Sequence, residues 1–303
     1  MNSILSKAGS QLGARPPAAV ELSPQGVLAA ASPGAGQPPV YAFEPLPQGA
    51  LVPDLGEPNL RAPEVVTNAI RNALGQVSPR TRSVTMVLPD TVVRVFVLDF
   101  DSLPSRPDEV LPVLRFRLRK MVPFDVEQAG LSYQVLLETK TECKALAAVL
   151  PGIVLQEYEN AMRQAGYEPG AVLPTSLAAL GAIDSSDPVL AANLGDVALT
   201  TSITHGQDLL LYRTLDLPED MHLRQGEVQR GIAVAAAYFE DKLGVRPERL
   251  EFAGIGGAES FADWLQNPDL AIADLIERPE TGRATSLGHA SIAGVAGALA
   301  GVK

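Results

Sequence analysis

The chain has 303 residues, 46% of them apolar and 19% charged, with a formal net charge of -11. It is long enough for a two-lobed structure with a substantial core, and this balance excludes a disordered chain. The acidic excess argues against nucleic acid as the main ligand, because phosphate contacts need clustered Lys and Arg.

Residues 1–17 read as a loose tail, and MNSILSKAGSQLG lacks the continuous apolar core of a signal peptide. Ala18–Ala31 predicts a hairpin with its turn at Ser23–Gly26, where Pro24 and Gly26 suit a tight reversal. SPGAGQPP (32–39) is a surface loop, and VYAF and GALVP read as short strands. The spacing of Val66, Ile70, Ala73 and Leu74 predicts a helix over Ala62–Gln76. Strands follow at Ser83–Leu88 and, after Pro89-Asp90, at Thr91–Phe100. Ser105 begins a helical region in a Ser-x-x-Asp cap pattern with Asp108. Pro112 predicts a kink there or a later start.

Leu131–Glu138 and Cys143–Leu150 read as neighbouring strands. The single cysteine excludes an intrachain disulfide and fits a reducing compartment. Its apolar run CKALAAVL predicts a buried strand position in preference to a nucleophile. Ile153–Gly166 is a helix, Ala171–Leu173 a strand, and Thr175–Ile183 a helix with Thr175 as its cap. After DSSD (184–187) come three strands, Val189–Leu194, Ala198–Thr204 and Leu209–Leu215. A long helix, Met221–Leu243, carries Ile232, Ala236, Phe239 and Leu243 on one stripe. Arg249–Ala253 is a strand ending in GIGGAE (254–259), followed by a helix over Ser260–Gln266. Leu270–Ile276 is a short strand or turn, and His289–Ala300 a small-residue helix. No run reaches the ~18–20 apolar residues that span a bilayer. Strand meanders followed by helices, twice over, predict two related α/β lobes with a cleft between them.

His205, His222 and His289 stand apart from one another, and no HExxH or CxxC spacing exists, so no metal site is expected. No G-x-S-x-G elbow and no P-loop signature occur. Two glycine turns carry more. Gly195 sits between two strands. Gly254, Gly256 and Gly257 sit after a strand and before a helix, where backbone N–H groups can meet an anion; the simpler reading is an ordinary turn that needs φ > 0. Arg115, Arg117, Arg119 and Lys120 form a basic cluster. It reads as a solvated helix face, as partners for the chain's own carboxylates worth roughly 0–1 kcal/mol each, or as a docking surface.

Several of these segments together resemble the PilM family, the cytosolic actin-like proteins of the type IV pilus inner-membrane assembly complex. The resemblance runs over about residues 18–302. It is carried by SVTMVLPDTVVRVFVLDFDSLPSRPDEV, LRFRLRKMVPFD, LSYQVLLE and EYENAMRQAGYEPGAVLPTSLAAL, with Val122, Pro123 and Phe124 at the helix exit. It implies an actin-like (ribonuclease H-like) α/β fold: a first lobe at 18–185 with a small α/β subdomain inserted at about 91–166, and a second lobe at 186–303 that includes the helix at about 289–300. It also implies a cytoplasmic, non-catalytic scaffold of pilus or related secretion assembly, peripheral to the inner membrane. Its partners would be other assembly proteins and the short cytoplasmic N-terminal peptide of a PilN-like single-pass membrane protein. That peptide would dock by the subdomain, at or near Arg115, Leu118, Arg119, Met121 and Phe124. Leu114, Leu118, Met121 and Phe124 would pack the subdomain or border the groove.

The same resemblance implies an ATP/Mg²⁺ site in the cleft, with marked departures. The first phosphate loop, Asp-Ile-Gly-Ser-Ser-x-x-Lys in relatives, is Glu21-Leu22-Ser23-Pro24-Gln25-Gly26-Val27, with no lysine following and a backbone donor removed by Pro24. The second, Asp-x-Gly, is Asn193-Leu194-Gly195, followed by Asp196, Thr200 and Thr201. Gly254, Gly256 and Gly257 keep the adenosine-side turn. Each lost charge-assisted contact is worth roughly 1.5–3 kcal/mol, so the expectation is a vestigial nucleotide site without hydrolysis. Glu21 and Asp196 are the residues available to replace the lost carboxylates. The rival expectation is an active ATPase or sugar-kinase-like enzyme on the same fold. A third is direct membrane attachment through the basic cluster, which the angular spread of its charges weakens.

Overall fold

The computed structural model describes residues 15–33, 37–267, 270–277, 287 and 290–300. Most of the expected N-terminal tail, and His289, lie outside them. Three sheets organise the chain. The first has the order β3-β2-β1-β4-β8, from β1 (Ala18–Ser23), β2 (Gly26–Ala31), β3 (Val40–Pro45), β4 (Ser83–Leu88) and β8 (Glu168–Pro174). The second has the order β11-β10-β9-β12-β13, from β9 (Pro188–Leu194), β10 (Ala198–His205), β11 (Asp208–Asp216), β12 (Arg249–Phe252) and β13 (Ala271–Asp274). Each begins as an antiparallel three-strand meander and then adds two parallel strands beside the first one. The two halves therefore share one topology, as the doubled strand-and-helix pattern predicts.

Between β4 and β8 lies the third sheet, β5-β7-β6, built from β5 (Arg94–Phe100), β6 (Gly130–Glu138) and β7 (Cys143–Leu150). One helix, α2 (Pro107–Leu118), packs on it through Val110, Leu114 and Leu118, against Leu98, Ala147 and Val149. Pro107 opens this helix at its first turn, where a fixed φ and a missing N–H cost nothing. Ser105 therefore does not cap it, and the helix runs through Pro112 with no later start.

The first sheet is covered by α1 (Pro63–Val77) and α3 (Gly152–Gln164), which also pack on each other. Val66, Ile70, Ala73 and Leu74 of α1 and Val154, Tyr158 and Met162 of α3 enter the same core. The α3 helix, assigned from sequence to the inserted unit, thus sits on the first lobe. Its Tyr158 hydroxyl donates to Asn59 Oδ1 at 3.0 Å, and the Glu157 carboxylate accepts from the backbone N–H groups of Asn59 and Leu60. These contacts pin the loop before α1. The expected strand at GALVP is reduced to a single bridge, Leu51 to Leu60, because the chain turns at once through Asp54 and Asn59.

In the second half, α5 (Met221–Leu243) is capped by Asp220, whose carboxylate accepts from the His222 and Leu223 N–H groups, and it ends at Gly244 in the left-handed region. Val228, Ile232, Ala235 and Phe239 bury against Leu190, Leu199 and Leu250. The following helix, α6 (Gly257–Leu265), starts earlier than the expected Ser260 because Gly256 turns at φ 85° and the Asp274 carboxylate accepts the Ala258 N–H at 2.8 Å.

The C-terminal helix α7 (Ala293–Ala300), expected with the second lobe, crosses back onto the first. Val295, Ala298 and Leu299 pack on Ala19, Leu28, Ala30 and Val87. Small residues make this approach possible: a Cβ on Gly297 would overlap the Ala178 carbonyl oxygen and lie 2.9 Å from Ala179 Cα. Just before the helix, Ser291 Oγ donates to Ala253 O at 2.6 Å, tying the crossover to the end of β12.

Candidate functional site

Two regions gather the residues singled out by sequence: the cleft between the five-stranded sheets, and the inserted sheet with α2. The cleft is bordered by three turns. The β1–β2 turn is only Pro24–Gln25, with Ser23 paired to Gly26. The Ser23 hydroxyl lies 3.3 Å from the Gly26 N–H and accepts from it, so one of the turn's few donors is already used. Across the cleft, Gly195 donates its N–H to Ala198 O at 2.9 Å to close the β9–β10 turn. Asp196 on that turn accepts from the Gln25 side-chain amide, so the two hairpin tips touch. The third turn, Gly254–Gly257, lies beside the end of β9 because Ile255 N–H donates to Leu194 O at 3.3 Å. Gly256 and Gly257 have φ 85° and 82°, and a Cβ on Gly254 would press on Leu194 O at 2.8 Å.

The structure therefore brings Asn193, Gly195, Asp196, Gly254, Gly256 and Gly257 to one end of the second sheet. Thr200 points into the junction with the first lobe. Its hydroxyl donates to Asp90 Oδ2 at 3.3 Å and lies 3.0 Å from Thr214 Oγ1. Asp90 also accepts from the Ser176 N–H at 2.9 Å and from the Ser176 hydroxyl. It thereby caps the short helix α4 (Thr175–Ala179), the task expected of Thr175. Thr175 Oγ1 instead lies 3.0 Å from Leu88 O and 3.1 Å from Glu21 Oε1. The other Glu21 oxygen, Oε2, is shielded from solvent without a partner, against Gly294 of α7.

Electrostatics follow from this enclosure. Desolvation pushes the Glu21 carboxyl up to about 8, with the Asp90 charge adding to the rise and the Thr175 hydrogen bond opposing it. Asp90 is raised too, by burial, against the pull of its hydrogen bonds from Ser176 and Thr200. Tyr212, facing the same spot, is raised well above the usual phenol range by burial and by Asp90. Sequence reasoning noted Glu21 but passed over Asp90, Ser176, Tyr212 and Asp274. Only the Pro-Asp pair after β4 signalled that something ends there.

The N–H groups of Gly26, Gly195, Ser176 and Ala258, at the turns and helix starts bordering the cleft, are served by the chain itself. Asp274 takes the start of α6, Asp90 takes the start of α4, and Asp196 binds the tip of the opposite hairpin. Among the described residues no cluster of three His, Cys, Asp or Glu side chains could hold a metal ion.

On the inserted sheet the five residues proposed for partner contact separate. Leu118 is 0% exposed, packed with Leu114, Val126 and Ala129, so it is a core residue and not a docking one. Arg115 is half-buried and donates from Nη2 to Ala129 O at 3.2 Å, with Nη1 shielded and unpartnered. Arg119 pairs with Glu127 at 2.7 Å. Phe124 is half-buried against the cluster, and Met121 is 42% exposed. The large side chain that sequence reasoning missed is Phe116, 73% exposed. Its signal was helical phase: Leu114 and Leu118 are four apart on the inner face, and Phe116 lies halfway between them, on the far side.

Two five-stranded sheets of matched topology, a cleft bordered by hairpin turns, and a C-terminal helix returning to the first lobe define an actin-like α/β fold with an inserted three-stranded unit. A solved structure described as the PilM–PilN type IV pilus biogenesis complex has this fold: it matches with a TM-score of 0.72 at 18% identity, over 94% of this chain and 98% of that one. The cytoplasmic domain of EpsL, an inner-membrane component of the type II secretion system of Vibrio cholerae, matches with a TM-score of 0.50 at 14% identity, over 89% of this chain and 91% of that one. No family model matches the chain, and no curated protein matches it in sequence. Among the described residues no helix is long and apolar enough to cross a membrane.

Proposed function

We propose that this chain is a non-catalytic scaffold of pilus or related secretion assembly, holding the cytoplasmic N-terminal peptide of a PilN-like membrane protein. What carries this reading is a likeness that runs over 94% of the chain to a structure described as a PilM–PilN complex. Two carboxylates at the cleft support the non-catalytic part, since Asp274 and Asp90 accept the Ala258 and Ser176 N–H groups at helix starts where a phosphate would need them free. In this reading ATP/Mg²⁺ binds weakly or not at all. The protein reaches the inner membrane, on its cytoplasmic side, through its partner. The functional units are a first lobe that includes the C-terminal helix, an inserted docking unit over Arg94–Leu150, and a second lobe over Pro188–Asp274.

The test is a titration with the N-terminal peptide of a PilN-like protein encoded nearby, beside one with ATP and Mg²⁺. Micromolar peptide binding without micromolar ATP binding is expected. A peptide that fails to bind at high micromolar concentration overturns the scaffold, and tight ATP binding overturns the vestigial cleft.

Side chains of the inserted unit give a sharper expectation. Phe116→Ser removes an exposed ring, so stability changes by no more than about 0.5 kcal/mol, while peptide affinity falls roughly tenfold, the scale of one lost anchor. Unchanged affinity would remove Phe116 from the docking face. Charge reversal separates the two arginines. Arg119→Glu loses an exposed pair worth roughly 0–1 kcal/mol. Arg115→Glu strips the Ala129 carbonyl of its donor and destabilises the unit itself.

A further inference from the structure

One short segment, from Asp90 to Arg94, leaves β4 and enters the inserted sheet, and both of its ends hold the second lobe. At one end Asp90, fixed on the first lobe by Ser176, receives the Thr200 hydroxyl of β10. At the other, Arg94 makes a two-pronged contact with Asp216 at the end of β11, Nη1 to Oδ1 at 3.0 Å and Nη2 to Oδ2 at 2.9 Å. Past Arg94, β5 packs against β11. That covers an edge of the second sheet which would otherwise stand open. Paired, planar guanidinium–carboxylate contacts and a shielded carboxylate that accepts several hydrogen bonds are the strong members of their class. Both sit on a strand meander whose tip also touches Gln25.

We propose that the segment Asp90–Arg94 is a latch that ties the two lobes to one another. The lobes of this chain are then one body at rest. The unit inserted after the latch is seated against both of them, so its orientation is set by that arrangement. This goes beyond the proposed scaffold role and does not depend on which partner docks.

The variants Thr200→Val and Arg94→Gln each remove one second-lobe tie. Thr200→Val keeps the β-branch and the Asp90 cap on α4, and Arg94→Gln changes a side chain at the surface. In hydrogen–deuterium exchange of the full chain, the double variant is expected to accelerate β10, β11 and α4 amides about tenfold, with α1 unchanged and the radius of gyration increased. The single variants fall between it and the wild type. Unchanged exchange in the double variant overturns the latch. So does an acceleration that is equal in α1, because the two residues would then contribute only general stability. If Thr200→Val does not fold, Arg94→Gln alone decides: a local rise along β5 and β11 supports the latch, and none contradicts it.

Discussion

Glu21→Gln is expected to stabilise the protein at about pH 8 and to flatten much of its stability loss between about pH 5 and pH 8. Glu21 lies in β1 with one oxygen near Thr175 and the other shut in against Gly294. Burial raises its folded pKa from 4.5 to about 8. Between those two values the folded chain keeps a proton that the unfolded chain releases, so stability is fully present below about 4.5 and declines as pH rises towards about 8. Each pH unit in that window shifts the folding equilibrium by up to about tenfold, for a total on the order of a few kcal/mol. Glutamine is neutral throughout and keeps an acceptor for the Thr175 hydroxyl. Asp90, raised in the same direction, leaves a residual slope in the variant. Urea unfolding at mildly acid and mildly alkaline pH measures this. Identical pH slopes for wild type and variant would show that Glu21 is ionised at little cost in the fold.

Gly297→Leu is expected to destabilise the fold strongly. A Cβ there would overlap the Ala178 carbonyl oxygen and stand 2.9 Å from both Ala178 C and Ala179 Cα, all backbone atoms that cannot swing aside. Overpacking of a tight contact costs typically about 1–3 kcal/mol and occasionally more. Here the relief route is worse than the strain, because lifting α7 exposes Val295, Ala298 and Leu299 with the β1, β2 and β4 residues beneath them. It also pulls Ser291 from Ala253 O. A loss of 3 kcal/mol or more is therefore expected, roughly the upper end of that range. Chemical unfolding and limited proteolysis of the C-terminal helix report it. A variant as stable as wild type would mean that α7 does not rest on α4 as described.

Much of the fold was legible because its signals are local. The two-residue hairpin turn at Pro24–Gln25 is written in the turn chemistry of Ser23 and Gly26. The long helix Met221–Leu243 has the bounds that its apolar stripe predicts, with Asp220 before it and Gly244 after it. The glycines after β12 mark the turn where the chain meets the end of β9. What was not legible depends on distance in sequence or on the absence of a stripe. Asp90 and Thr200 are 110 positions apart, and no local pattern pairs them. Helix α7 is built of Ala and Gly, whose small side chains give no preferred face, so nothing local says which lobe it joins. Helix α3 has a clear apolar face, but periodicity alone does not say that its sheet is the first and not the inserted one. At the proposed docking face, Leu118 was chosen for its apolarity, whereas its four-residue spacing from Leu114 places it inside.

In the proposed arrangement a partner peptide is held at the inserted unit while the cleft remains a structural junction. Hydrogen–deuterium exchange of the full chain with and without the PilN-like N-terminal peptide separates these two regions. Slower exchange is expected within Arg94–Leu150 and the first-lobe surface beside it, with no change at the cleft turns Ser23–Gly26 and Leu194–Val197. Protection centred on those turns, or no protection anywhere at saturating peptide, would contradict that arrangement.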